Sequence, residues 1–231
     1  MLVFGFLLSL HPIILPMKKE RIDPTQYNKI LECFMKSLMQ NGLKGTTMDS
    51  LASALQMSKR TLYEIFGNKE ELFKEVHLYF HKKMAQKLSE IFLTSTNVME
   101  AIIKCFLYNR DFMSNLCPDF IRDMQSISNQ RVDKNKCAKR QHHQNLYEVL
   151  QKGVEEGYFR EDVNLMVQCR MFLIQMESLK RTEDLFPEDI SLLEIYDNII
   201  IGFLRGISSQ KGLDELEKYI PELTSFSKKQ S

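Results

Sequence analysis

The stretch "MSKRTLYEIFGNKEELF", Met57–Phe73, decides how this chain folds. Ser58 is a residue type that caps helix N-termini. After it, Leu62, Ile65 and Phe66 fall within about 100° of one another on a helical wheel, so one face is apolar. Arg60, Tyr63 and Glu64 then point the opposite way, with Lys59 and Thr61 flanking them near the start. Gly67 stops the helix. Asn68-x-x-Glu71 is a capping box that opens another. Leu72, Phe73, Val76, Phe80, Leu88, Ile91 and Phe92 carry that helix to about residue 93.

Upstream the same logic holds. Asp23-Pro24-Thr25-Gln26 combines a cap residue, a proline at the first helical position and Gln at the third. Tyr27, Ile30, Leu31, Phe34 and Leu38 then form one helical stripe, which Asn41-Gly42 is expected to end. Thr46 or Thr47 caps a helix of about two turns with Met48, Leu51, Ala52 and Leu55 inside. Residues 24–93 therefore read as four helices. The second and third are short and joined by a tight turn at Gln56-Met57, which is a helix-turn-helix arrangement.

Downstream, residues 97–115 form an apolar-striped helix, Pro118 breaks it, and a short helix follows near 119–128. Residues 132–156 form a helix with a late apolar face, Leu146, Val149, Leu150 and Val154. "EEGYFRED", Glu155–Asp162, reads as a C-cap glycine, an aromatic turn and a fresh acidic start. Residues 163–180 and 189–208 are two apolar-rich helices, and "EIYDNIIIGFLRGIS" is apolar on more than one face, as burial on two sides requires. A last amphipathic piece, Gly212–Ile220, is expected to end at Pro221.

Composition agrees. Nine Gly and six Pro in 231 residues are too few for a turn-dense all-β fold. The five cysteines have no C-x-x-C spacing, which excludes a disulfide framework or zinc knuckle and fits a reduced, cytoplasmic setting. Net charge is +1, so the whole chain does not announce a nucleic-acid partner; the basic excess sits within residues 17–90. The opening "MLVFGFLLSLHPIILP" is too short to span a bilayer, is broken by Pro12 and Pro16, and lacks a basic n-region and a cleavage site. It reads as a start codon called too early, with Met17 opening the chain; an apolar arm or a membrane-directed segment are the alternatives.

A helix of this size fits a major groove about 12 Å wide. Lys59 or Arg60 could meet guanine, Thr61 a thymine methyl or a phosphate, and Tyr63 a phosphate. Lys69 lies in a first helical turn, where free N–H groups favour an anion. A solvated helix face explains the same pattern, and the residues alone leave both readings open. His77 and His81 are spaced i, i+4, but no third ligand accompanies them, and the adjacent His142-His143 point different ways; no metal site or cofactor is expected. Nothing resembles a catalytic triad, a phosphate loop or a carboxylate pair, so no enzyme is expected. Met99, Phe106, Phe112, Met113, Met124, Phe172 and Met176 are candidates for lining a ligand cavity, with plain core as the alternative.

"GTTMDSLASALQMSKRTLYEIFGNKEELFKEV", Gly45–Val76, resembles the DNA-binding signature of the TetR family of bacterial transcriptional regulators. The resemblance rests on the Thr-Thr opening, Leu51-Ala52, Ser58-Lys59, Thr61-Leu62-Tyr63, Phe66, Asn68-Lys69-Glu70 and Leu72. It implies an all-α fold, with an N-terminal three-helix helix-turn-helix DNA-binding domain joined by a long fourth helix to a helical ligand-binding and dimerisation domain. The corresponding segments are 1–22, 23–70 and 71–231. It implies a DNA face of Thr47, Ser58, Lys59, Arg60, Thr61, Tyr63 and Lys69, of which Thr47, Tyr63 and Lys69 meet phosphates. It implies a dimeric, ligand-responsive repressor on double-stranded DNA with a pseudo-palindromic operator. The subunits would pair through helices near 163–180 and 189–208, an unknown small molecule would be the effector, and no membrane is involved. One position departs from the family: the turn residue usually Gly is Gln56, followed by Met57, so an altered turn is expected. The alternative function is a non-regulatory DNA-associated or protein-interaction module that reuses a helix-turn-helix.

Overall fold

The structure is a computed structural model. It describes residues 22–117, 119, 120, 123, 136–179, 187 and 189–224, without the side chains of 136–143 and 224. The opening apolar segment, most of the short helix near 119–128, Met124 and the side chains of His142 and His143 lie outside the described residues. The helices are α1 (Pro24–Gly45), α2 (Met48–Leu55), α3 (Lys59–Phe66), α4 (Lys69–Thr94), α5 (Val98–Ser114), α6 (Lys136–Glu155), α7 (Leu165–Ser178), α8 (Leu192–Ile207), α9 (Gln210–Glu217) and α10 (Ile220–Thr224). No strand occurs among the described residues, which carry an isolated antiparallel bridge between Phe159 and Ser208. The fold is all-α, with an N-terminal helix-turn-helix and a helical C-terminal part.

Most helix starts form where the capping chemistry places them. The Asp23 carboxylate accepts from the Gln26 N–H at 3.0 Å. Thr47, not Thr46, caps α2 through a reciprocal box with Ser50, and Thr46 is buried and donates to the Gly42 carbonyl. Asn41-Gly42 breaks α1 as expected: Gly42 takes the non-helical φ 66°, ψ 178°, a kink beyond which the chain turns on briefly to Gly45. The Asp123 carboxylate accepts from the Leu43 N–H just past the kink, an anchor 80 residues away. Pro221, by contrast, does not end the last helical piece as expected. It sits in the first turn of α10, where its missing N–H would have been unsatisfied anyway.

The described residues divide into two compact units. One comprises 22–86 with those between 115 and 123. Its core is Tyr27, Ile30, Leu31, Phe34 and Leu38 of α1, Met48 and Leu51 of α2, Leu62 and Phe66 of α3, and Leu72, Phe73 and Val76 of α4. The Tyr27 and Phe66 rings lie 5.4 Å apart, tying the start of α1 to the end of α3. The other unit comprises 87–114 and 136–224. There α7 packs between α6 and α8, and α5 packs on α6, α8 and α9. Phe106, Phe172 and Phe203 join α5, α7 and α8 at its centre, with Phe172 stacked on Phe203 at 4.1 Å. Cys105 and Cys169 are buried there, and burial pushes both thiols up to about 12, so neither is a nucleophile near neutral pH.

Candidate nucleic-acid interface

Leu62 is fully buried, Phe66 nearly so and Ile65 half-buried, and these three fix which side of α3 faces inward. Lys59, Arg60, Tyr63 and Glu64 are left exposed on the other side. A tight left-handed turn leads from α2 into α3. Gln56 adopts φ 53°, ψ 39°, the left-handed region, and is the one non-glycine with positive φ among the described residues. Its N–H reaches the Ser53 carbonyl and the Met57 N–H reaches the Ala52 carbonyl at 2.9 Å, closing α2. The turn therefore keeps a glycine-like geometry without a glycine, which corrects the expectation of an altered turn. An L-residue in that region costs about 1–2 kcal/mol. Gln56→Gly should accordingly stabilise the chain in urea by about 0.5–1 kcal/mol, once glycine's extra entropy loss is set against the relief. A loss of stability would mean that the Gln56 side chain outweighs the strain.

The polar residues expected on the DNA face divide by task. The Ser58 hydroxyl accepts from the Thr61 N–H at 3.0 Å and lies 2.7 Å from the Thr61 hydroxyl. The Thr47 hydroxyl accepts from the Ser50 N–H. These groups hold helix ends in place. Lys59 pairs with Asp49 at 2.7 Å and Arg60 with Glu64 at 2.8 Å. Both pairs are exposed, so water and salt screen them, and a phosphate can replace the carboxylate at small cost. Tyr63 is 41% exposed. Lys69 is set apart from these: its ammonium is half-buried and donates to the Leu43 carbonyl at the end of α1. Burial lowers its pKa, and Asp123 partly opposes that.

Sequence reasoning missed the carboxylates. Glu64 stands four residues after Arg60, a spacing that announces the pair. Asp49 lies ten residues from Lys59 and meets it only because the turn folds α2 against α3. On α4 the His77 and His81 rings face each other with Nε2 atoms 3.2 Å apart. No group of three or more potential metal ligands occurs among the described residues. Of the ligand-lining candidates, Met99, Phe106, Met113, Phe172 and Met176 join one buried cluster, whereas Phe112 is half-buried outside it.

Residues 30–76, which run from the middle of α1 into α4, match the family model of bacterial regulatory proteins of the tetR family. That segment is a TetR-family helix-turn-helix. A 61-residue stretch of the chain is 48% identical to the uncharacterized HTH-type transcriptional regulator YhgD of Bacillus subtilis, covering 26% of the chain but only 32% of that protein. Over 141 residues the chain is 23% identical to the HTH-type transcriptional repressor KstR2 of Mycobacterium tuberculosis, covering 59% of the chain and 70% of the repressor. The crystal structure of the TetR family transcriptional regulator PfmR from Thermus thermophilus superposes with a TM-score of 0.51 at 27% identity, covering 78% of this chain and all of that one. No helix among the described residues is long and apolar enough to cross a membrane.

Proposed function

We propose that this chain is a sequence-specific DNA-binding transcriptional regulator, a ligand-responsive repressor that acts as a homodimer on a pseudo-palindromic operator. The observation that carries the reading is α3, with its apolar side locked inward and Lys59, Arg60 and Tyr63 exposed beyond a left-handed turn. In the major groove the first residues of such a helix meet base edges. Lys59 and Arg60 would exchange Asp49 and Glu64 for guanine edges or phosphates. Ser58 and Thr47, engaged as caps, and Thr61, bonded to Ser58, set the register, and the two threonines also offer the groove their methyl groups. Lys69 has three ammonium protons and spends one on Leu43, which leaves two for a phosphate.

The dimer reading rests on α7 and α8. Val167, Met171 and Ile174 are 47%, 52% and 68% exposed and stand at i, i+4 and i+7, an apolar stripe on one side of α7. Gly202 and Gly206 stand one turn apart on α8 with open space where a side chain would be, so another helix could approach closely. Together these faces suit the four-helix pairing of two copies, a symmetric interface that would match a symmetric operator.

Footprinting on the protein's own upstream DNA, with sedimentation alongside, tests the proposal. Two protected half-sites about 34–36 Å apart, or somewhat more, are expected. Ile174→Lys should yield monomers and erase the paired footprint. Uniform coating of any sequence would favour a DNA-associated module instead, and a dimeric Ile174→Lys protein would move the interface elsewhere.

A further inference from the structure

Asn109 lies on α5 with no exposed surface, and neither its side-chain oxygen nor its nitrogen has a hydrogen-bond partner. Helical spacing puts it on the stripe that carries Ile102, Phe106 and Met113, seven and three residues before it and four after. Those neighbours belong to the apolar cluster of the helical body. Leaving a buried amide unpaired costs about 1–3 kcal/mol per group, and an apolar residue of similar volume would carry no such cost. Stability therefore does not account for an asparagine here. A hydrogen-bonding partner from outside the chain does.

The charges around Asn109 narrow the chemistry of that partner. Arg110 and Asp197 are the buried charged residues among those described in this unit. They are joined twice, Nε to Oδ1 at 2.6 Å and Nη2 to Oδ2 at 2.7 Å. Each neutralises the other. An ionic ligand entering this core would lose its hydration without gaining an opposite charge, unless it broke that pair. A neutral ligand meets no such obstacle. The amide itself offers both a donor and an acceptor. Met113 and Met176 are pliable side chains that can repack around an apolar body.

We propose that the helical body takes an uncharged, largely apolar effector bearing one group that both accepts and donates a hydrogen bond, of carboxamide or lactam type, anchored on the Asn109 side chain. This rests on the reading of the chain as a ligand-responsive regulator, and it names the class of ligand and the residue that selects it. The amide would supply specificity and the aromatic and methionine residues the affinity.

The test uses the full chain and four ring-matched probes: benzamide, benzoate, benzamidine and ethylbenzene. Calorimetry gives the affinities, and the Asn109 side-chain amide resonance, identified by its loss in Asn109→Leu, reports contact. Benzamide should bind about tenfold more tightly than benzoate or benzamidine, as one or two net hydrogen bonds allow, and should shift that resonance. Asn109→Leu should weaken benzamide by about the same factor while leaving ethylbenzene binding intact. Asn109→Ala serves as a second variant should leucine overpack the site. A preference for benzoate or benzamidine would overturn the proposal, as would benzamide binding indifferent to both substitutions. So would the failure of every probe to bind wild-type protein at about 1 mM. DNA protection measured on the same preparation separates the failures: a retained footprint without probe binding rejects the ligand assignment alone, whereas a lost footprint rejects the regulator reading.

Discussion

Arg110→Ala will lower the stability of the helical body by about 3–5 kcal/mol, because it strands the Asp197 carboxylate without its counter-charge. The pair is nearly inaccessible, with side-chain exposures of 5% and 9%. It joins α5 to α8 beside the Tyr196 hydroxyl, which donates to the Phe106 carbonyl at 3.1 Å. Replacing both partners together, Arg110→Met with Asp197→Leu, should cost little or even stabilise, since two ions then no longer need to be taken out of water. Denaturant titration of the single and double variants checks this; a single-variant loss below about 1 kcal/mol would place the pair among ordinary surface bridges.

The pH dependence has a definite sign. Burial raises the Asp197 pKa above its ordinary 3.8, and the bond to Arg110 opposes that only in part. A carboxyl whose folded pKa is raised contributes stability that is present below the unfolded value and lost as pH rises through the folded one. Ionised Asp197 is thus a net cost at neutral pH, which Arg110 reduces. The gap between wild type and Arg110→Ala should narrow on acidification, as Asp197 takes up a proton and the stranded charge disappears. A gap that widened toward low pH would reverse this assignment.

Phe159→Ala should cost about 3–5 kcal/mol, the usual loss for truncating a wholly buried aromatic ring. Phe159 follows Gly157, whose φ of 77° turns the chain out of α6. The turn is tied down on both sides. The Tyr158 and Phe159 N–H groups reach the Gly153 carbonyl, Arg160 donates to Ile207, and Ser209 donates to Tyr158. The Phe159 ring lies so close to Gly153 that a Cβ there would sit 2.2 Å from a ring carbon. Gly153→Ala should therefore cost about 1–3 kcal/mol by overpacking. In the Phe159→Ala background that second cost should vanish, giving a double-mutant coupling of similar size. Strict additivity would show that the ring and Gly153 do not limit one another.

Much of the fold was legible because the signals are local. Asp23, Thr47, Ser58 and Asn68 each cap a helix with a hydrogen bond spanning three residues, and such bonds need nothing from the rest of the chain. At Gly42 the regular helix breaks as the glycine predicts, and a distant carboxylate holds the Leu43 N–H beyond the break. At Pro221 the residue that stops one helix is well suited to begin the next. The candidate DNA face was legible in its cations and in the apolar residues beneath them. The bond from Lys69 to Leu43 was not legible, because that carbonyl lies 26 residues back. Asn109 escaped notice because a search for apolar stripes passes over the polar residue inside one.

The carboxylates on α2 and α3 have a consequence of their own. With Asp49 and Glu64 beside Lys59 and Arg60, the exposed tip of the proposed reading head carries its own counter-ions. Random DNA, which holds proteins through phosphate attraction and the release of condensed salt, would gain little from meeting cations that are already neutralised. Only a site whose bases reward opening both pairs recovers that cost. Asp49 and Glu64 would then act as an entry fee that screens out the wrong sequences. Removing them should make binding tighter, more salt-sensitive and less discriminating.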